Sequence, residues 1–357
     1  MTKLWEPIQI GNMKLNHRLA MSPMTRSRSY DNGVPNDLAA EYYSQRADLG
    51  LIITEGTQPS DDGQGYIHSP GIYRPEHIEG WKKVTQAVHD KGGYVFIQLM
   101  HVGRMSHPDN TPHHRQAVAP SAITPDAEMH TANGRKAIPQ PRALSANEIQ
   151  DIIQEHRDAA RAAIEAGADG VELHGANGYL IQQFISENAN HREDQYGGNI
   201  ENRIRFAVEV TRAVADEIGP EKVGLRVSPG VTLNGIDEGQ PEEVIHPTYV
   251  RLMEELNQLN LAYVHVMHFG DETMLKKIRQ TWQGKLLVNR FGRPRNEVSR
   301  DIDSDLADMA PIGQWALANP DIVTRLKHGY PLNEADPSTM YGGGAEGYTD
   351  YPYYEEQ

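Results

Sequence analysis

The stretch SANEIQDIIQEHRDAARAAIEAGADGVELHGA, Ser145–Ala176, holds a helix start, a helix stop and a buried strand in direct succession. Ser145 and Glu148 stand three apart, the spacing at which a hydroxyl and a carboxylate cap each other's backbone N–H groups. Ile149, Ile152, Ile153, His156, Ala160, Ala163 and Ile164 follow on one face at helical spacing. Gly167 suits the left-handed stop after the last turn. "GVELHGA", from Gly170, is then apolar on both faces for most of its length, as a strand covered on two sides must be. A capped amphipathic helix running straight into such a strand predicts an α/β fold with a parallel sheet.

The same alternation extends in both directions. Further strands are predicted at Arg18–Met24, Gly50–Gly56, Tyr94–Met100, Val223–Pro229, Tyr263–Gly270 and Lys285–Arg290, with a weaker one at Ala307–Gly313. A second amphipathic helix, from about Ile200 to Ile218, carries Ile204, Ala207, Val208, Thr211 and Val214 on its buried stripe and ends at Gly219-Pro220. Eight strands alternating with helices predict a (β/α)8 TIM barrel. "LWEPIQIGNMKLNHR", centred on Gly11-Asn12, predicts an N-terminal hairpin capping the barrel bottom. Residues 101–144, rich in Pro and His, are too long for an ordinary loop and predict an excursion over the barrel mouth after the third strand. Residues 341–357 form a tyrosine-rich tail. With no internal repeat or low-complexity linker, residues 1–357 are expected to form a single domain.

Composition narrows the function. The net charge of -15 argues against nucleic acid and anionic membranes, which need clustered Lys and Arg. No apolar run approaches the ~20 residues that span a bilayer, and the N-terminal residues lack a secretory apolar region, so a cytoplasmic protein is expected. The chain has no cysteine, which removes disulfides, thiolate nucleophiles and thiolate-held metals.

In a barrel, chemistry sits where strands end and the following loops begin. Those positions hold Thr25, Gly56, Gln98, His101, His174, Asn177, Tyr179, Arg226, His268, Arg290 and Gly313. The sixteen histidines raise the question of a metal. However, no H-x-H follows the first strand, no H-E-x-x-H occurs, and Glu55 is the main strand-end carboxylate. No metal is expected. A flat organic cofactor suits the set better. Gln98 and Thr25 can meet a heteroatom-rich edge, and Arg226 can balance charge gained on reduction. The ends of the last two strands, Asn289-Arg290 and Gly313-Gln314, lie where barrels bind phosphate. A barrel lyase or isomerase that grips phosphate without flavin is the alternative, although no strand end offers a Schiff-base lysine. A flavin-binding sensor is a third reading, and it would not need Tyr179.

Several long motifs in order resemble the old yellow enzyme family of FMN-dependent ene-reductases, in its classical bacterial branch. They are "NHRLAMSPMTRSRS" at Asn16, "TEGTQPS" at Thr54, "FIQLMHVGRMSHP" at Phe96, "HGANGYLIQQFISENANHREDQYGGNIENR" at His174, "GLRVSP" at Gly224, "LANPD" at Leu317 and "YGGGAEGYTDYP" at Tyr341. The resemblance covers nearly the whole chain. It implies that Pro23, Met24 and Thr25 line the flavin, that Gly56 lies beside the ring, and that Gln98 and Arg226 meet its pyrimidine edge. It further implies that His174 and Asn177 hold the activating oxygen of an alkene, that Tyr179 gives a proton, and that Tyr66 and Tyr341 wall the pocket. NADPH or NADH would reduce FMN in the same pocket, since no separate G-x-G-x-x-G dinucleotide motif follows a strand. The substrates implied are α,β-unsaturated carbonyls, maleimides and nitroalkenes, and the protein would be a monomer or small homo-oligomer. Three positions depart from the family pattern. Gly56 stands where alanine is commoner, Met100 where tryptophan is common, and Gln314 where an arginine meets the phosphate. Arg290, or else Arg293, is expected to replace that lost cation.

Overall fold

In a computed structural model, which describes residues 2–355, fourteen strands and ten α-helices are assigned. The strands are β1 (Ile8–Ile10), β2 (Met13–Leu15), β3 (Leu19–Met21), β4 (Leu51–Ile53), β5 (Val95–Leu99), β6 (Val118–Ala119), β7 (Glu128–Thr131), β8 (Gly134–Ala137), β9 (Arg142–Ala143), β10 (Gly170–Gly175), β11 (Val223–Val227), β12 (Tyr263–His268), β13 (Leu286–Arg290) and β14 (Ala310–Ile312). The helices are α1 (Asp37–Ser44), α2 (Pro75–His89), α3 (Ala146–Glu165), α4 (Leu180–Ile185), α5 (Ile200–Ile218), α6 (His246–Leu256), α7 (Glu272–Thr281), α8 (Arg300–Asp303), α9 (Gln314–Ala318) and α10 (Ile322–His328).

Eight strands pair in parallel in the order β13-β12-β11-β10-β5-β4-β3-β14. A bridge between Leu287 and Met309 joins the two ends of that order, so the sheet closes into the expected (β/α)8 barrel. β3 stops at Met21, which leaves Ser22, Pro23 and Met24 in the loop at the strand's end rather than in the strand. The capping box on α3 is formed at both ends, Glu148 N to Ser145 Oγ and Ser145 N to Glu148 Oε2. Its stripe is buried except Ile164, which is half-exposed.

β1 and β2 pair antiparallel, and Ile8, Ile10, Met13 and Leu15 pack with Ala20, Leu51, Phe96 and Leu287 of the barrel strands. The hairpin thereby plugs the N-terminal end of the barrel, leaving the opposite end for chemistry. The excursion contains two small ladders, β6 with β9 and the β7–β8 hairpin. Met129 and Ile138 from it bury against Met100, Val102, Met105 and Tyr179. Among the described residues no helix is long and apolar enough to cross a membrane.

The tail packs on the chain's own body as far as residue 355, and residues 356–357 lie outside the described residues. Arg26 donates to Gly347 O (2.7 Å) and Met340 O (3.1 Å). Arg28 donates to Thr339 O, Gly344 O and Glu346 O. Tyr348 stacks on Tyr42 at 4.3 Å, and Tyr354 on Tyr330 at 4.0 Å. Beneath this clasp Glu55 accepts from the backbone N–H of Arg26 (3.0 Å) and from Tyr43 Oη (3.4 Å). Burial pushes the Glu55 carboxyl up to about 7, against the pull of those donors. The folded protein therefore holds a proton that an unfolded chain releases above about 4.5. Its contribution to stability is complete below that pH and disappears as pH rises through about 7. Urea unfolding of Glu55→Gln and wild type from pH 5 to 8 should show the wild type losing on the order of 1–3 kcal/mol relative to the variant. Parallel curves would contradict this reading of Glu55.

Candidate active site

At the C-terminal end of β10 the chain must turn into α4 within four residues, Ala176–Tyr179. Asn177 sits in the left-handed region at φ 57°, a conformation asparagine tolerates better than most side chains. Gly178 follows at φ 78°, and a Cβ there would come within 2.7 Å of Leu233 O and 2.8 Å of Asn234 Cβ. Glycine is what lets the turn press against the loop after β11. The backbone is then pinned on all sides. Asn177 N donates to Ser228 Oγ (2.9 Å), Gly178 N to Gln182 Oε1 (2.9 Å), and Gln183 Nε2 to Gly178 O (2.8 Å).

With the backbone held, the side chains of His174 and Tyr179 meet. His174 Nδ1 accepts from Ala176 N at 3.2 Å, which leaves Nε2 as the N–H-bearing nitrogen of the neutral ring. Burial, reinforced by the Arg226 charge, holds His174 well below the ordinary imidazole range, so it is an uncharged donor. The ring lies edge-on to Tyr179 at 4.8 Å and 88°. Tyr179 Oη is 2.8 Å from Tyr66 Oη, and burial followed by that neighbour keeps its proton bound far above the ordinary phenol range. Asn177 Oδ1 is buried with no hydrogen-bond partner among the described residues. Tyr341 remains 67% exposed, at the rim rather than in this cluster.

The neighbouring strands carry a buried charged layer. Glu172 stands opposite Gln98 in the β10–β5 register, His174 opposite Arg226, and Arg226 opposite His265. Glu172 accepts from Gln98 Nε2 (2.8 Å), Tyr263 Oη (3.0 Å) and His265 Nδ1 (2.9 Å). Those donors hold it in the ionised form, with the pull of His265 and Arg226 overcoming burial. Arg226 is 4% exposed, with one long contact to Asn289 Oδ1 (3.4 Å) and, among the described residues, no partner for Nε. Glu172, Tyr263 and His265 are missing from the sequence reading. Their signal is an acidic residue in the middle of an apolar strand, a position that carboxylates avoid unless paired.

A cleft of about 300 Å³ opens beside Arg226, at the small end of the range for small-molecule sites. It is lined by Pro23, Met24, Arg226, Asn289, Arg290, Arg293, Gly313 and Gln314, among others. Seven of the ten residues expected to touch a cofactor meet there, while Thr25, Gly56 and Gln98 lie outside its lining. The expectation that Arg290 replaces the cation lost at Gln314 meets a physical obstacle. Its guanidinium is already paired with Asp301 (2.7 and 2.9 Å) and with Glu272. Arg293, in the same cleft, gives Asp301 one nitrogen at 2.8 Å.

Two of the departures prove to be one feature. A Cβ on Gly56 would stand 2.4 Å from Met100 Sδ and 2.6 Å from its Cε. The thioether occupies the space that an alanine at 56 would fill, so the smaller residue at one position accommodates the flexible one at the other.

A flat cofactor with an acceptor-rich edge and a phosphate fits this set. The unpaired buried Arg226 Nε calls for an acceptor, and the cleft continues from it to Asn289, Gly313 and Arg293. Among the described residues no cluster of acidic or histidine side chains could hold a metal ion.

Comparison with known proteins agrees. The NADH:flavin oxidoreductase / NADH oxidase family matches residues 3–333. A probable flavin mononucleotide-dependent alkene reductase of Leishmania infantum is 41% identical, over 98% of this chain and 96% of its own. The 12-oxophytodienoate reductase 2 of Arabidopsis thaliana is 40% identical, over 99% and 96%. Morphinone reductase in complex with tetrahydroNAD superposes with a TM-score of 0.94 at 40% identity, over 99% of this chain and 98% of that one. The old yellow enzyme homologue of Zymomonas mobilis superposes equally well, at 37% identity over 98% and 99%. The chain therefore belongs to the NADH:flavin oxidoreductase / NADH oxidase family and is an FMN-dependent oxidoreductase of the old yellow enzyme type.

Proposed function

We propose that this protein reduces the C=C bond of activated alkenes, namely α,β-unsaturated carbonyls, maleimides and nitroalkenes, at the expense of NADPH or NADH. The observation that carries the reading is an uncharged imidazole N–H donor set edge-on to a protonated phenol, with the half-buried Asn177 on the pinned turn between them in sequence. FMN, when bound, would supply the hydride for the substrate's β-carbon and take its replacement from the nicotinamide.

The chain's own side chains do the rest. As charge grows on the carbonyl or nitro oxygen, His174 Nε2–H and the Asn177 amide N–H stabilise it in a site from which water is excluded. Neither donor titrates near neutral pH, so neither loses its hydrogen when the oxyanion forms. Tyr179 delivers the proton to the α-carbon. Tyr66, bonded to its oxygen at 2.8 Å, aligns the phenol and offers a route for its reprotonation. At the other end Pro23, Met24, Thr25 and Gly56 would flank the ring, and Gln98 and Arg226 its pyrimidine edge. Asn289, Gly313, Gln314 and the Arg290–Arg293 pair would face the phosphate. Met100 and Tyr341 would border the substrate. We take residues 1–357 to act as one FMN-binding domain, in the cytoplasm, as a monomer or small homo-oligomer without nucleic-acid or membrane partners, in keeping with the net charge of -15. Family membership disfavours a flavin-free phosphate-gripping lyase or isomerase.

The test is an anaerobic two-step mixing experiment on FMN-loaded protein. NADPH or NADH should bleach the flavin, and 2-cyclohexenone should restore its absorbance. Tyr179→Phe should slow the second step about 10²–10⁴-fold and leave the first unchanged. A wild type that bleaches but is not restored by any activated alkene would contradict the proposal. At the phosphate end, Arg293→Ala should weaken FMN binding at least tenfold and Arg290→Ala less, measured by quenching of FMN fluorescence. The reverse order would show that Arg290 exchanges its carboxylates for phosphate.

A further inference from the structure

Beyond the trio at the turn, the barrel axis holds an acidic residue that the reaction does not use. Glu172 is 0% exposed and lies on β10 between the apolar Val171 and Leu173. A residue needed only to fill the barrel would be apolar at lower cost, because a buried charge must be repaid by well-placed partners. Glu172 has three such donors, from three different strands: Gln98, Tyr263 and His265. The layer is nevertheless not closed on itself. Two of its neighbouring side chains carry buried nitrogens without partners among the described residues, Arg226 Nε and His265 Nε2.

We propose that Glu172 is a positioning residue for the flavin. By taking the amide N–H of Gln98 it turns that side chain into an acceptor toward the pyrimidine edge, and its charge offsets Arg226 to hold the reduction potential down. This rests on the FMN reading above and deepens it. A primary amide carries two N–H donors and one C=O, and anchoring one N–H on a carboxylate fixes which way round the group sits, so that Oε1 faces away from Glu172. With Nε2 engaged at 2.8 Å, Gln98 offers Oε1, the right partner for an N–H donor flanked by carbonyls. The charge argument is independent of that geometry. Reduction adds negative charge to the ring, which Arg226 favours and a buried carboxylate nearby opposes. Donation by Tyr263 and His265 keeps the carboxylate ionised and moderates this opposition without abolishing it.

Two variants separate the two roles, with FMN uptake by the wild type scored first. Glu172→Gln removes the charge, and the midpoint potential of its bound FMN should rise. The expected size is at least a tenfold shift toward reduced flavin, equivalent to about 30 mV for a two-electron couple. Glu172→Asp keeps the charge but draws the carboxylate back from Gln98. It should bind FMN at least tenfold more weakly while its potential stays near the wild-type value. If Glu172→Gln does not fold, the Asp variant alone decides, since wild-type affinity there removes the positioning role. An unchanged potential in a folded, FMN-bound Glu172→Gln would overturn the electrostatic role. A wild type that takes up no FMN would overturn the underlying reading, and this proposal with it, before any variant is made.

Discussion

An unpaired guanidinium N–H, buried at the open end of a closed barrel, is the constraint on which the site depends. Arg226 is 4% exposed and its Nε meets no acceptor among the described residues. A buried donor left unsatisfied costs about 1–3 kcal/mol, more when charged, and native structures keep few of them. Barrel closure holds this one in place, because β11 is flanked by β10 and β12 and cannot rotate its residues toward solvent. Glu172 supplies counter-charge from the adjacent strand while its oxygens are taken by other donors. The protein thus carries the cost of a cation that a ligand with an acceptor edge can complete.

The turn at residues 174–179 follows the same logic at its own scale. Its backbone hydrogen bonds go to Ser228, Gln182, Gln183 and Asn234, so its shape is fixed by groups that never meet substrate. In the proposed reaction that fixation would let His174, Asn177 and Tyr179 stand ready with no reorganisation when charge develops, which is where most electrostatic catalysis comes from. In the proposed reaction the arginine layer would serve the cofactor end and the turn the substrate end. The β10–β11 register, which sets His174 opposite Arg226, ties the two together.

Much of this architecture is legible along the chain because its signals are local. Buried parallel strands are continuous apolar runs, the α3 cap is a four-residue motif, and Gly11-Asn12 marks the hairpin. What escapes reading depends on register or on distant partners. Glu172, Tyr263 and His265 meet only because β10 and β12 flank β11 in the ring. Asp301 and Glu272 are ordinary acidic residues until the fold brings both to Arg290, which is why that arginine looks free in sequence and is not. Gly56 and Met100 read as two separate departures, whereas in space a single sulfur joins them. The β7–β8 hairpin inside the excursion does carry a local mark, the Asn133-Gly134 dipeptide, which the Pro- and His-rich surroundings obscure.

The most direct test is an experimental structure of the protein with FMN bound. The account predicts that the ring's pyrimidine edge lies within hydrogen-bond distance of Arg226 Nε and Gln98 Oε1, with His174, Asn177 and Tyr179 facing the space above the ring. A flavin bound elsewhere, with the Arg226 Nε still unpaired, would contradict it.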